Sequence, residues 1–197
     1  MKHYLITDPT FYGTASDALE SALDVIYSHT LPDFALFRDK QTTDYQTLAQ
    51  TFVTISREYK VPRILLHGDY VLAHELKADG IHLTSLQFEA ITEAKKLGLY
   101  VIISTHTHEE AYKAQKLGAD AITYSPIFPS PGKGEPKGLE DLKEIVAKIE
   151  IPIFALGGIT TEEQINAVFT TGVYGFASIR YFIDYHRHTV LDTVSIL

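Results

Sequence analysis

The sequence predicts a parallel (β/α)₈ barrel, the TIM-barrel fold, as a single domain of residues 1–184. Two observations predict it: eight short apolar runs recur along the chain, and stretches with helical spacing lie between them. Runs that are apolar at most positions indicate strands buried on both faces, as in a parallel sheet covered by helices. Eight strands alternating with helices most simply close into a barrel, and 197 residues lie near the lower size limit of that fold.

Each apolar run is interpreted as one strand. The predicted strands are YLITD (4–8), FALFRD (34–39), RILLH (63–67), GIHL (80–83), YVIIS (100–104), AITYS (121–125), IPIFAL (151–156) and YGFAS (174–178). The segments LKADGIHL, KLGADAITY and TTGVYGFAS echo one another, as repeated βα units require. A doubly wound open sheet is the alternative fold, but no G-x-G-x-x-G motif follows the first strand.

Residues that start and stop helices support the same division of the chain. The predicted N-caps are Asp44, Thr107 and either Thr160 or Thr161, and the predicted C-terminal glycines are Gly98, Gly118 and Gly172. Residues 185–197 follow the last helix as a tail. We expect this tail to pack either on the barrel or on a second subunit of a homodimer.

Composition excludes several classes of function. The net charge of −8, without a concentrated Lys/Arg patch, argues against a nucleic-acid partner. The absence of cysteine excludes disulfides, thiolate nucleophiles and cysteine metal sites. No apolar run approaches the roughly 18–20 residues of a membrane span, and the N-terminus lacks a signal-peptide pattern. We therefore expect a cytoplasmic protein without a membrane partner, whose anionic ligands are held by local cations and backbone N–H groups.

In this fold the active site forms at the C-terminal ends of the strands. The irregular stretch YSPIFPSPGKGEPKG (124–138) follows strand six, which favours a lid or substrate loop over a linker. Ser130, Gly132 and Lys133 offer a hydroxyl, exposed amides and a charge, which an anion-binding loop requires. A solvated Pro/Gly loop is the alternative interpretation.

Strand two ends in LFRDK, where alternation places Leu36, Arg38 and Lys40 on the face opposite Phe37. If Phe37 packs beneath the helices, Arg38 points into the barrel mouth. A buried arginine needs an anion, which is either a ligand or an interior carboxylate such as Asp8.

The loops after strands seven and eight, LGGIT and ASIRYF, predict a phosphate site. Gly157 and Gly158 allow a phosphate to approach the backbone, and Arg180 opens the last helix, whose N-terminus favours an anion. A plain tight turn is the alternative for the glycine pair.

Four histidines lie near the ends of strands three, four and five: His67, His82, His106 and His108. Convergence of three would suggest either acid–base catalysis or a zinc site. No Asp or Glu lies at a fixed offset from them, so no metal ligands are assigned. His82 within GIHL is interpreted as a hydrogen-bonded histidine of the barrel core.

In order, these motifs resemble the thiamine phosphate synthase and thiazole tautomerase superfamily over residues 4–180. The motifs are YLITD, FRDK, ADGIHL, IISTH, GADAITYSPIFPSPGK, KGLEDL, IPIFALGGIT and GFASI. The resemblance implies a barrel of thiamine biosynthesis that binds phosphorylated pyrimidine and thiazole metabolites. The synthase joins an aminopyrimidine-methyl pyrophosphate to a thiazole phosphate, and it neutralises the departing pyrophosphate with cations and usually with Mg²⁺.

The resemblance also implies roles for matched positions. The residues that would contact the pyrophosphate are Arg38, Lys40, Ser104, Ser130 and Lys133, and Gly158 would face the thiazole phosphate. Both Mg²⁺-ligand positions of the family are changed, to Gly68 and Gln87, and Asp69 lies one position late. The family's glutamine two residues before the strand-two arginine is replaced as well, by Leu36.

These departures leave three functions open. A tautomerase of the same superfamily needs no metal, but the histidine expected to open its strand-six loop is Pro126 here. His67 or His106 would then supply the acid or base. The third alternative is a non-catalytic regulator that binds a thiazole or thiamine phosphate.

Overall fold

The computed structural model describes residues 1–183, which form a closed barrel of eight parallel strands in chain order. The strands are β1 Lys2–Ile6, β2 Phe34–Phe37, β3 Arg63–His67, β4 Gly80–Leu83, β5 Tyr100–Thr105, β6 Ala121–Tyr124, β7 Ile153–Leu156 and β8 Gly175–Ser178. All eight predicted strands and the predicted fold class are confirmed. The predicted boundary at residue 184 and the tail, 185–197, lie outside the described residues.

The predicted bounds of β1 are wrong by two residues at each end. It begins at Lys2 because Lys2 pairs with Gly175 of β8 when the barrel closes. It ends at Ile6 because the Asp8 carboxylate accepts a hydrogen bond from the Thr10 backbone N–H and so starts a helix.

The helices alternate with the strands on the outside of the barrel. They are α1 Pro9–Tyr12, α2 Ser16–His29, α3 Tyr45–Glu58, α4 Tyr70–Glu75, α5 Ala90–Lys96, α6 His108–Lys116, α7 Gly138–Val146 and α8 Glu162–Phe169. A further helical turn begins at Arg180. None of the helices within residues 1–183 has the length and apolar character needed to cross a membrane.

The predicted helix ends are largely confirmed. Thr107 and Thr161 accept hydrogen bonds from backbone N–H groups of α6 and α8, and Thr161 forms a capping box with Gln164. Asp44 lies at the N-cap position of α3, but its side chain makes no capping hydrogen bond. The predicted C-terminal glycines all have a left-handed backbone conformation, with φ of 78° at Gly98, 87° at Gly118 and 80° at Gly172.

Side-chain alternation along each strand divides the core into two regions. Phe37 faces outward and packs beneath the helices, whereas Leu36 faces the barrel interior, as the sequence predicts. The interior is filled by Tyr4, Ile6, Phe34, Leu36, Leu65, Ile102, Ala121, Phe154 and Ala177. The barrel is therefore a packed core, and a cavity lies beyond the carboxyl ends of its strands.

Two glycines allow neighbouring strands to approach at the opposite end of the barrel. A Cβ atom at Gly80 would lie 2.2 Å from the carbonyl oxygen of Tyr100, and one at Gly175 would lie 2.4 Å from that of Lys2. Both clashes are with backbone atoms, so no side-chain rotation relieves them.

We predict that Gly80→Ala lowers the free energy of unfolding by about 1–3 kcal/mol, because the added methyl group must push β4 away from β5. The matched control is Gly134→Ala, since nothing lies within 4 Å of a Cβ at that exposed position. Urea denaturation measures both. An equal effect of the two substitutions would contradict the close approach at Gly80.

Candidate functional site

A cavity of about 500 Å³ lies at the carboxyl ends of the strands. Its charged lining residues are Arg38, Lys40, Lys133 and Arg180, and no aspartate or glutamate among the described residues lines it. Because the whole chain carries a net charge of −8, this concentration of positive charge is local. The cavity is therefore suited to an anionic ligand.

The structure brings ten of the eleven predicted site residues to this one cavity. They are Arg38, Lys40, His67, Ser104, His106, Ser130, Lys133, Gly157, Gly158 and Arg180. Gly132 is the exception, because it is exposed and lies outside the lining. Its φ of 69° belongs to a turn in which the Lys133 N–H donates to the Ser130 carbonyl, at 3.1 Å. Gly132 thus permits the turn between two lining residues and does not itself reach the cavity.

Arg38 pairs with Asp8, one of the two anionic partners that the sequence left open. Its Nη1 atom lies 3.2 Å from Oδ2 of Asp8, and the side chain also lines the cavity. Lys40 projects from the same strand end. Burial, with the nearby charges of Arg38 and Lys133, lowers the pKa of Lys40. An anion placed between these side chains would relieve that repulsion.

Asp39 fixes the turn that carries Arg38 and Lys40, a role that sequence reasoning missed. Its buried carboxylate accepts hydrogen bonds from the backbone N–H groups of Gln41 and Thr42 and from the Thr42 hydroxyl. Burial opposes ionisation of this carboxyl, but the hydrogen bonds outweigh it and lower its pKa. Aspartate commonly forms such a turn by accepting hydrogen bonds from residues two and three positions later. Asp39 itself is therefore the local signal in the sequence.

The loop after β6 packs directly on the glycine pair after β7. A Cβ at Gly158 would lie 2.7 Å from both Cβ of Phe128 and the carbonyl oxygen of Pro129. Gly157 and Gly158 also have φ of 100° and 70°. The pair is therefore both a tight turn and the surface on which the loop packs, and the Ser130 hydroxyl lies 3.3 Å from the position of a Cβ at Gly157.

The final part of the lining comes from β8. Ser178 donates to the carbonyl of Ile159 at 2.7 Å and accepts from the Tyr181 N–H at 3.2 Å, which joins the β7 turn to the helical turn that begins at Arg180. Thr160 and Ser178 line the cavity as well and were not predicted. The sequence signal that could have identified them is their position within two residues of Gly158 and Arg180.

The four histidines separate into three in the cavity and one outside it. His82 is buried and bonded to Tyr4 and Ser104, which confirms its interpretation as a core histidine. His67 lines the cavity, and burial together with the charges of Arg38 and Lys40 lowers its pKa to about 4. His108 lies outside the cavity lining and contacts the Asp141 carboxylate, at 3.1 Å.

His106 lines the cavity, and its Nδ1 contacts two oxygens of Ser125. Nδ1 lies 3.1 Å from the Ser125 carbonyl oxygen, which can only accept a hydrogen bond, and 3.3 Å from the Ser125 hydroxyl, which can also donate one. In the tautomer that donates from Nδ1 to the carbonyl, Nε2 is the acceptor.

The changed Mg²⁺-ligand positions contact each other. Nε2 of Gln87 donates to the Gly68 carbonyl at 2.8 Å, while its Oε1 accepts from the backbone N–H and hydroxyl of Thr84. Asp69 accepts from the Leu72 N–H as the N-cap of α4 and lies outside the cavity lining.

This set of donors does not fit Mg²⁺, which prefers carboxylate and other oxygen ligands. The only side-chain oxygen of the Gln87 amide is already bonded to two donors. Within residues 1–183, no group of three or more His, Cys, Asp or Glu residues is arranged to hold a metal ion.

The fold and the cavity together define a (β/α)₈ barrel with a cationic site at the C-terminal face, the position of active sites in enzymes of this fold. A family model described as thiamine monophosphate synthase matches residues 3–182. The chain belongs to this family, which confirms the resemblance seen in its motifs.

Individual relatives agree with the family match. A thiamine-phosphate synthase of Clostridium novyi is 34% identical over 183 residues, covering 90% of this chain and 88% of the relative. One from Clostridium acetobutylicum is 29% identical over 188 residues, covering 90% and 85%. The solved structure of a thiamine phosphate pyrophosphorylase from Pyrococcus furiosus has a TM-score of 0.78 and 27% identity, covering 90% of this chain and 85% of that one.

Proposed function

We propose that the protein is a transferase of the thiamine phosphate synthase type, which joins an aminopyrimidine-methyl pyrophosphate to a thiazole phosphate. The observation that carries this proposal is that one cavity brings together Arg38, Lys40 and Lys133 with the Gly157–Gly158 turn and Arg180. In the proposal the first three side chains bind one phosphorylated group, and the glycine turn with Arg180 binds the other. Two phosphorylated substrates need two such sets of residues, and the names of the relatives support the same reaction.

In the proposed reaction the bond between the pyrimidine methylene carbon and the pyrophosphate oxygen breaks, and the oxygen keeps the electron pair. The thiazole nitrogen then donates its lone pair to the methylene cation and forms the new C–N bond. Arg38, Lys40 and Lys133 would bind the departing pyrophosphate, because negative charge develops there as the bond breaks. The hydroxyls of Ser104 and Ser130 would donate hydrogen bonds to the same group.

We infer that the protein side chains neutralise this charge without a protein-ligated Mg²⁺ ion. The four lining cations, of which Arg38 is paired with Asp8, and the absence of lining carboxylates within the described residues both support this inference. The hydrogen bonds of Gln87 to Gly68 and Thr84 support it as well, because they occupy the region in which the family places its metal ligands.

We predict that the purified chain forms thiamine phosphate and pyrophosphate from the two substrates, and that Lys133→Gln lowers kcat/KM about a hundredfold. That loss is typical when one preorganised charge is removed from a developing anion. The control is Lys137→Gln on the same loop, because Lys137 contacts the outward-facing ring of Tyr124, at 5.3 Å, and does not line the cavity. Equal loss in both variants, or no product from the native chain, would contradict the proposal.

A metal-free thiazole tautomerase is the second candidate, and the position of His106 favours it. The ring contacts the carbonyl of Ser125, directly before Pro126, where a tautomerase histidine is expected from the resemblance. His106 therefore reaches that loop from β5 instead. Its Nε2 acceptor would remove a proton from the substrate as a general base.

We predict that, if this second activity is present, His106→Gln lowers the rate of isomerisation of the thiazole phosphate about a hundredfold, the lower end of the usual contribution of a general base. The control is His108→Gln, because His108 contacts Asp141 outside the cavity lining. NMR detection of proton exchange into the substrate measures the rate. Binding of thiazole phosphate without either reaction would instead indicate the non-catalytic regulator.

A further inference from the structure

A chain of hydrogen bonds runs through the barrel interior and ends at the cavity. The Tyr4 hydroxyl lies 2.8 Å from Nδ1 of His82, and Nε2 of His82 lies 2.9 Å from Oγ of Ser104. Tyr4 is 0% exposed and His82 is 3% exposed, whereas Ser104 lines the cavity. These residues come from β1, β4 and β5, so the barrel itself assembles the chain.

The direction of these hydrogen bonds follows from the number of protons available. Burial lowers the pKa of His82 to about 3 and raises that of Tyr4, so at neutral pH the imidazole carries one N–H and the phenol keeps its proton. Within residues 1–183, the hydrogen-bond partner of the Tyr4 hydroxyl is Nδ1 of His82. Tyr4 must therefore donate to Nδ1, since the reverse direction would leave the phenolic proton unpaired in the core.

The imidazole proton then lies on Nε2 and is donated to Oγ of Ser104. Ser104 already accepts one hydrogen bond from inside the protein, so its own proton is directed away from His82. Ser104 lines the cavity, so this proton is available to a ligand there. The Ser104 hydroxyl is thus oriented to donate a hydrogen bond to a ligand in the cavity.

We propose that Tyr4 and His82 are positioning residues that orient the Ser104 hydroxyl to donate to an anionic oxygen of the ligand. This proposal rests on the proposed function, which places the pyrophosphate beside Ser104. Tyr4 does not line the cavity. His82 borders it but has both ring nitrogens engaged, by Tyr4 and Ser104, so it acts on the ligand through Ser104 and does not act as a base. Without Tyr4, Nδ1 can take the proton, and Ser104 can donate to Nε2 instead of to the ligand.

Two measurements on the full chain test this proposal. Nitrogen-15 NMR of the ligand-free protein reads the tautomer of His82 directly, and we expect a protonated Nε2 and an unprotonated Nδ1. Calorimetric titration with inorganic pyrophosphate then compares Tyr4→Phe, Ser104→Ala and the double variant. We expect about fivefold weaker binding for Tyr4→Phe and at least about tenfold for Ser104→Ala, because a charged acceptor strengthens the bond.

The double variant separates positioning from a structural effect. Because Tyr4 acts only through Ser104, the double variant should bind pyrophosphate no more weakly than Ser104→Ala alone. The control is Thr123→Val, which removes a buried barrel hydroxyl that has no hydrogen-bond partner within the described residues. This control should leave pyrophosphate affinity unchanged.

A proton on Nδ1 of His82, or additive losses in the double variant, would overturn the proposal. If Tyr4→Phe fails to fold, the nitrogen shifts of the native chain still decide the tautomer. Failure of the proposed function is a separate result, since absence of thiamine phosphate formation changes neither the His82 tautomer nor the comparison of pyrophosphate affinities.

Discussion

Four cations converge on one cavity in a chain whose net charge is −8, and no carboxylate within the described residues lines that cavity beside them. Burial and the like charges of Arg38 and Lys133 lower the pKa of Lys40, so holding these cations together raises the free energy of the site. The packed barrel and the turn fixed by Asp39 hold these groups in place. Binding of a polyanion would lower this free energy. The arrangement of charges is therefore consistent with the pyrophosphate of the proposed function.

The glycine pair after β7 contributes to this arrangement of charges. Gly157 and Gly158 admit the loop after β6 against the turn after β7, and this contact places Lys133 over a cavity whose other cations come from β2 and β8. Charge repulsion would otherwise favour a loop that turns Lys133 toward solvent. Close backbone packing of the loop thus offsets the electrostatic cost of the site.

Much of the fold and part of the site could be predicted from the sequence, because both depend on local patterns. Apolar runs located the eight strands, and alternation placed Phe37 outside and Arg38 at the barrel mouth. Knowing that strand ends converge was then enough to bring Arg38, Lys133 and Arg180 to one place, whereas Ser104 came from the family resemblance. Gly132 lies outside the cavity lining, because composition alone does not show which residues of a turn face the cavity.

Contacts between distant residues could not be predicted. Gln87 bonds to Gly68 across 19 residues, and Tyr4 bonds to His82 across 78. Neither spacing carries a signal, since the first contact depends on the loops after the paired strands β3 and β4, and the second on residues that meet inside the barrel. A tyrosine at an interior position of β1 is a weak hint, because a buried hydroxyl needs a partner.

The most direct test of the account is calorimetric titration of the native chain with inorganic pyrophosphate, once with Mg²⁺ and once with a chelator. Neutralisation by the protein's own cations predicts binding in the chelator that Mg²⁺ does not strengthen. Pyrophosphate binding that requires Mg²⁺, or that becomes at least about tenfold tighter with it, would contradict the account and would mean that other residues rebuild the metal site.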